Sequence, residues 1–356
     1  MTDYDRQVGE NRRRDFLGTT LFDTTRVPIS RRHFLQGSLA GAMVAGTASA
    51  QRQDDSPNGK ARIAITLDLE MSRMYPTRNM MEWDYQKGNL NEPTKKYALD
   101  AARIANDRGG LIHFFCVGRV LEQSDIGWLK DIVELGHPVG NHTYDHVNVW
   151  ATKPEQTQFR FQRSPWLVRG KTAQDVIREN NRVTTLAMKQ RIGIDANGFR
   201  TPGGSHAALV GREDIQRLLL DEGFTWVSSK YPPHKSSEPG KEPKQDVFES
   251  IVNAQRQAQP FVYPTGLIEI PMSPISDVGA FRTSRWKLDD FLKSVRQCVE
   301  WAIDNGAVFD FLCHPSIMYV EDPNFNTVKL ICDLVKQAGD KAEIVALSTI
   351  AKHVAV

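Results

Sequence analysis

Short apolar runs that alternate with stretches of helical period constrain this chain more than any other feature. The first run, Ala61 to Leu67, is β-branched and apolar as a buried strand requires, and it ends in Asp68-Leu69-Glu70. Further strand-like runs fall at about 111–116, 196–200, 224–228, 266–270, 308–313 and 342–347, and helix-period segments at about 94–108, 171–191, 212–222, 287–304 and 325–338. Strand followed by helix, repeated, calls for parallel strands joined by helical crossovers. The fold class is therefore α/β, a barrel or doubly wound sheet, with residues 61–356 as one domain. In such folds chemistry gathers where strands end. Two irregular stretches, 71–92 and 231–244, are long enough to be functional loops. The first carries Met71, Met74, Tyr75, Met80, Met81, Trp83 and Tyr85, and is expected either to line a cleft with aromatic side chains or to pack as a lid on the rim.

The amino-terminal part reads as an address. Ser30-Arg31-Arg32-His33-Phe34-Leu35 is a twin-arginine pattern, followed by a small-apolar run to Gly46 and then by Ala48-Ser49-Ala50. Residues 1–50 are accordingly expected to form an export signal, 51–60 a polar linker, and 61–356 the catalytic domain. The expectation is recognition by the twin-arginine export machinery, a periplasmic or extracellular destination, and no stable membrane span after cleavage. That route carries proteins already folded in a reducing compartment, so the scattered Cys116, Cys298, Cys313 and Cys332 are expected to be small buried residues and not disulfides. Beyond residue 50 there are 38 basic and 38 acidic residues, a neutral body that gives no reason to expect nucleic-acid binding.

Several strand ends carry chemistry. Asp68 and Glu70, two apart on a strand, point to the same side, and a carboxylate at the end of an apolar strand is costly to bury without a partner. His142 and His146, in Gly140-Asn141-His142-Thr143-Tyr144-Asp145-His146, are four apart and are expected to share one face of a helical turn, where they would bind one metal ion. Phe199-Arg200-Thr201-Pro202-Gly203-Gly204 ends another strand with a fixed charge and two glycines that let backbone approach a ligand. Phe309-Asp310-Phe311-Leu312-Cys313-His314-Pro315 ends a third with an imidazole. His113, His137, His206, His234 and His353 read as structural or surface residues, and Trp226 as core.

Taken in order, these segments resemble the polysaccharide deacetylase family, carbohydrate esterase family four, also called the NodB-homology domain. Thr66-Leu67-Asp68 is similar to its first motif, Gly140 to His146 to its second, Arg200-Thr201-Pro202-Gly203-Gly204 to its third and Leu312-Cys313-His314-Pro315 to its last; Leu220 to Ser229 resembles the intervening stretch. The resemblance implies a distorted (β/α) barrel of parallel strands and a hydrolase acting on non-peptide carbon–nitrogen bonds. It also implies a divalent metal, zinc first, with cobalt, nickel or iron as alternatives. The implied activity is removal of N-acetyl groups from an amino-sugar polysaccharide. Residue by residue, it implies His142 and His146 as metal ligands, Asp68 as general base, His314 as the acid that protonates the leaving amine, Gly203 as a backbone oxyanion donor and Arg200 as the cation that keeps Asp68 ionised.

The chain departs from the family's pattern in two places. The position after the base, where relatives carry the metal carboxylate, is Leu69, and no acid near Ser228, Ser229 and Lys230 is available to orient Arg200. Strand alternation turns Leu69 away and brings Glu70 to the side of Asp68, so Glu70 is assigned as the third metal ligand, against the plainer reading of a loop-anchoring acid. Two other functions stay open: hydrolysis of a small linear or cyclic amide on the same fold, and an inactive carbohydrate-binding relative.

Overall fold

The computed structural model describes residues 59–354; the twin-arginine pattern, the apolar run and most of the 51–60 linker lie outside them. Among the described residues no helix is long and apolar enough to cross a membrane. In chain order the elements are β1 (Ala61–Leu69), α1 (Glu92–Asp107), β2 (His113–Cys116), α2 (Gly127–Glu134), β3 (Val139–Asn141), α3 (Phe159–Arg163), α4 (Ala173–Ile192), β4 (Gly198–Ser205), α5 (Glu213–Asp221), β5 (Trp226–Lys230), α6 (Gln245–Gln255), β6 (Phe261–Val262), β7 (Ile268–Glu269), α7 (Leu288–Asp304), β8 (Val308–Cys313), α8 (Pro315–Glu321), α9 (Asn326–Ala338), β9 (Ala342–Ile344) and α10 (Leu347–Val354). Local chemistry sets the ends of the longer helices. Asn91 caps α1, its Oδ1 accepting from Thr94 N at 3.0 Å. Thr172 and Asp175 form a reciprocal capping box on α4, which a left-handed Gly193 terminates.

The strands form one curled sheet in the order β6-β7-β5-β4-β3-β2-β1-β8, with β9 pairing the start of β1; every pairing is parallel except β6 with β7. Of the barrel and the doubly wound sheet that the alternation allows, this is the distorted parallel barrel that the family resemblance implies. Period-two alternation divides each strand between two environments. Ile63, Ile65, Leu67 and Leu69 of β1, Phe114 and Cys116 of β2, and Phe309, Phe311 and Cys313 of β8 face outward, into the main core with α1, α7 and α9. Phe199 and Val227 join a second cluster with α4 and α5. The opposite phase of the same strands carries Ala64, Thr66 and Asp68, His113 and Phe115, Arg200, Trp226 and Ser228, and Asp310 and Leu312.

That inward phase is apolar at one end of the barrel and polar at the other. Ala64, Phe115, Trp226, Leu347, Ile350 and Ala351 form a floor in which α10 plugs the end where the parallel strands begin. Gly198 is required there: a Cβ would stand 1.8 Å from Cζ2 of Trp226. The polar residues lie toward the end where the strands finish.

The structure corrects several element assignments. The run at 342–347 is a strand only to Ile344, after which α10 begins at Leu347. α2, α3, α6, α8, α10, β3 and β6 are additional. β3 and β6 span three and two residues, too short to show a period, whereas Val247, Phe248, Ile251 and Ala254 give α6 a helical spacing that was readable.

Candidate active site

The loop after β1 is tied to the rim of the barrel. Met71 N donates to Lys87 O at 2.8 Å, Arg73 grips Asp84 through two nitrogens, Ser72 N donates to Ser316 Oγ at 3.0 Å, and Tyr75 OH donates to Glu321 at 2.6 Å. Met71 and Tyr75 are buried in the core. The residues this loop contributes to the cavities are Arg73, Asp84 and Lys87, so the cleft is not lined by its aromatic side chains.

At the strand ends lies a cavity of about 230 Å³ lined by Asp68, Glu70, His142, His146, Gly203 and His314, together with Lys87, Tyr231 and Arg282. β1 delivers Asp68, and Glu70 stands at the turn directly after its last residue, each carboxylate nearly fully buried. Glu70 Oε1 accepts from Lys87 Nζ at 3.0 Å and lies 3.5 Å from His314 Nε2, while Oε2 is 2.6 Å from His146 Nε2 and 3.9 Å from His142 Nε2. Asp68 Oδ2 is 3.7 Å from His142 Nε2 and 4.0 Å from His314 Nε2. Burial pushes Asp68 up to about 7 against the opposing pull of Arg200 and His314. Burial raises Glu70 as well, but His146 and Lys87 outweigh it and hold this carboxyl well below the usual range.

The two imidazoles do not share a helical turn. β3 stops at Asn141, and Thr143 and His146 have φ of 59° and 55°, left-handed values that a right-handed helix excludes. The turn is built from side chains instead. Asn141 Oδ1 accepts from Thr143 N at 2.8 Å, Thr143 Oγ1 accepts from Val147 N at 3.0 Å, and Asp145 N donates to Asn180 Oδ1 on α4 at 2.8 Å. The rings come to rest with centroids 5.1 Å apart. His142 Nδ1 lies 2.9 Å from Arg200 O; a carbonyl only accepts, so Nδ1 carries the proton and Nε2 presents a lone pair. Burial lowers both histidines, and the neighbouring His146 adds to the shift on His142.

Arg200 lies behind this cavity, fully buried over the face of Phe115. Its short partner is Asp310, with Nη2 2.6 Å from Oδ2, whereas Nη1 stands 3.7 Å from Asp68 Oδ1. The expected pairing with Asp68 is thus the weaker of two contacts, and the missing acid comes from β8 and not from the end of β5. Thr66 Oγ1 donates to Asp310 Oδ1 at 2.9 Å and Ser228 Oγ to Oδ2 at 3.3 Å, while Arg200 Nε and Nη1 are buried without a hydrogen-bond partner. Asp310 had a readable signal: it shares the inward phase of its strand with Leu312, and an acid inside Phe-Asp-Phe-Leu-Cys needs a partner. Asp277 had none. From an aperiodic loop, Asp277 accepts from His314 N at 2.5 Å and from Nδ1 at 3.0 Å, and it caps a π-helical turn, Val278–Thr283. Burial lowers His314, but the Asp277 carboxylate outweighs it, and the net shift is upward. Gly203, at φ +75°, lines the cavity where the backbone needs a left-handed residue.

One oxygen or nitrogen from each of Glu70, His142 and His146 can be chosen so that all lie within 4.8 Å of one another. The 2.6 Å approach of His146 lacks hydrogen-bond alignment, and Glu70 Oε2 is buried with no donor, as is Asp68 Oδ1. A buried carboxylate oxygen that faces two imidazole nitrogens and has no hydrogen-bond donor fits a divalent cation, and two nitrogens with one carboxylate form a known zinc set.

Residues 97–219 match the family model described as polysaccharide deacetylase. No curated protein matches the chain. Among solved structures, a candidate polysaccharide deacetylase from Mycobacterium smegmatis is 16% identical, with 84% of this chain and 91% of that one covered at a TM-score of 0.54. Puue allantoinase is 14% identical, with 83% and 91% covered at 0.55, and a further candidate polysaccharide deacetylase, from Pseudomonas aeruginosa PAO1, is 13% identical, with 82% and 90% covered at 0.54. At such identities the likeness speaks to the fold, and the barrel is common to all three. The segment that matches the polysaccharide deacetylase family model, residues 97–219, holds the His142–His146 turn and the Arg200–Gly204 strand end.

Proposed function

We propose that the protein is a metal-dependent amidohydrolase that removes N-acetyl groups from an amino-sugar glycan. The observation that carries this reading is the convergence of Glu70, His142 and His146 in the cavity that Asp68 and His314 also line. A divalent cation held by those three residues, zinc first, supplies Lewis acidity toward water and an amide carbonyl. Asp68, whose Oδ2 faces His142 and His314 in the cavity, takes the proton from the attacking water. His314, its Nδ1–H fixed on Asp277, presents Nε2 to the cavity and gives its proton to the nitrogen as the C–N bond breaks, leaving acetate and a free amine. The Gly203 N–H is the backbone donor proposed for the carbonyl oxygen as charge develops on it. Arg200 is a positioning residue: its carbonyl aims His142 and its guanidinium binds Asp310.

A second reading, hydrolysis of a small linear or cyclic amide, draws on the fold shared with Puue allantoinase. Acetate release from N-acetylated chito-oligosaccharides separates the two. Chelation should abolish that release and zinc or cobalt should restore it; undiminished turnover in metal-free protein would overturn the mechanism.

A further inference from the structure

Three arginine or lysine side chains among the described residues line the central cavity and an adjoining one of about 320 Å³: Arg73, Lys87 and Arg282. Arg73 is occupied by Asp84 at 2.7 Å and Lys87 by Glu70 at 3.0 Å. Arg282, which lines both cavities, has no carboxylate at ion-pair distance among the described residues. Its one side-chain hydrogen bond runs from Nη1 to Ser72 Oγ at 3.1 Å, two residues past Glu70. Nε and Nη2 have no protein acceptor among those residues. Arg282 is half-buried, and its free nitrogens are open to solvent, so the guanidinium is available to an anion that enters the cavity.

The backbone beneath Arg282 is held on both sides. It belongs to the π-helical turn capped by Asp277, the residue that also fixes His314, and Arg78 Nη2 donates to Phe281 O at 3.1 Å. Single π-turns recur at functional sites, and this one ties the placement of Arg282 to that of the proposed acid. One corner of the guanidinium is anchored and the remaining donors are left for an anion, which a planar carboxylate matches with two parallel bonds. The adjoining cavity gives room for a second unit of substrate, with Asn148, Gln156 and Phe159 on its wall.

Resting on the amidohydrolase reading, we infer that Arg282 recognises a carboxylate on the substrate close to the amide that is cleaved, so that the substrate class is an acidic N-acylated amine. The carboxylate has two possible sources, a sugar acid next to the amino sugar or the small amide itself.

Two matched pairs of probes decide it: an N-acetylhexosamine–hexuronate disaccharide against its methyl ester, and an N-acetyl amino acid against its methyl ester. Each is titrated calorimetrically into the zinc-loaded protein and assayed for acetate. In at least one pair the acid should bind about 10-fold or more tighter than the ester, and Arg282→Gln should bring that ratio to within about twofold. Arg282→Lys should keep an intermediate ratio, because lysine retains the charge without the fork. A response in the disaccharide pair assigns the carboxylate to a glycan, and one in the amino-acid pair to a small amide. Preference for the acid without acetate release leaves Arg282 its role and removes the deacetylase reading. Equal or absent binding of acid and ester in both pairs, or a ratio unchanged in Arg282→Gln, overturns the inference even when acetate is released.

Discussion

Asp68 and Glu70 stand two residues apart on one strand end and meet opposite electrostatic surroundings: burial raises the first to about 7, while His146 and Lys87 hold the second well below the carboxylate range. Their substitutions should therefore part company. Glu70→Gln should weaken zinc binding about 10- to 100-fold or more, and Asp68→Asn should keep metal stoichiometry while losing at least ~10²-fold in turnover. Metal titration of the two variants beside acetate kinetics checks this, and the opposite pattern would exchange the roles. Asp310 gives a stability test. Arg200 is fully buried against it, so Asp310→Ala strands a charge and should cost about 3–5 kcal/mol, read as a fall in the urea midpoint. Which site residues were legible follows from how each is placed. Asp68, Glu70, Arg200 and His314 sit at the ends of apolar strands and announce themselves. Asp277 reaches His314 from a loop without period, and the His142–His146 geometry depends on two left-handed residues that spacing cannot reveal.

At the scale of elements, the strands with a clear apolar run were readable, and so were the helices with a full apolar face. β3 was not, because three residues containing a glycine carry no alternation. His113 shows how an inward residue joins elements: its Nδ1 accepts from Leu347 N at 3.3 Å, tying the start of β2 to α10, and its ring stacks on Phe115. Burial, with Arg200 adding to it, lowers His113 to about 3. The folded chain thus refuses a proton that the unfolded chain accepts near the ordinary histidine value of 6.5, so stability is unaffected above that value and falls as pH drops below it. Between pH 7 and 5 this one group should cost about 2 kcal/mol, and His113→Gln should show a pH slope shallower by that amount in urea unfolding at the two pH values.

At the scale of the molecule, all four cysteines are free and buried, spread over the strands and helices that enclose the main core. None should react with a thiol reagent in the native protein, all four should react once it is denatured, and reductant should leave the unfolding midpoint unchanged. The direction of the strands has a practical consequence. The pairing of Ala61 with Ala342, and α10 beyond it, lie at the end where the strands start, while Asp68, His142 and His314 open at the end where they finish. The barrel is therefore one-sided: fixed to a bead or a sensor surface through the end of α10, it would stand with its mouth turned away from the support and open to the solution.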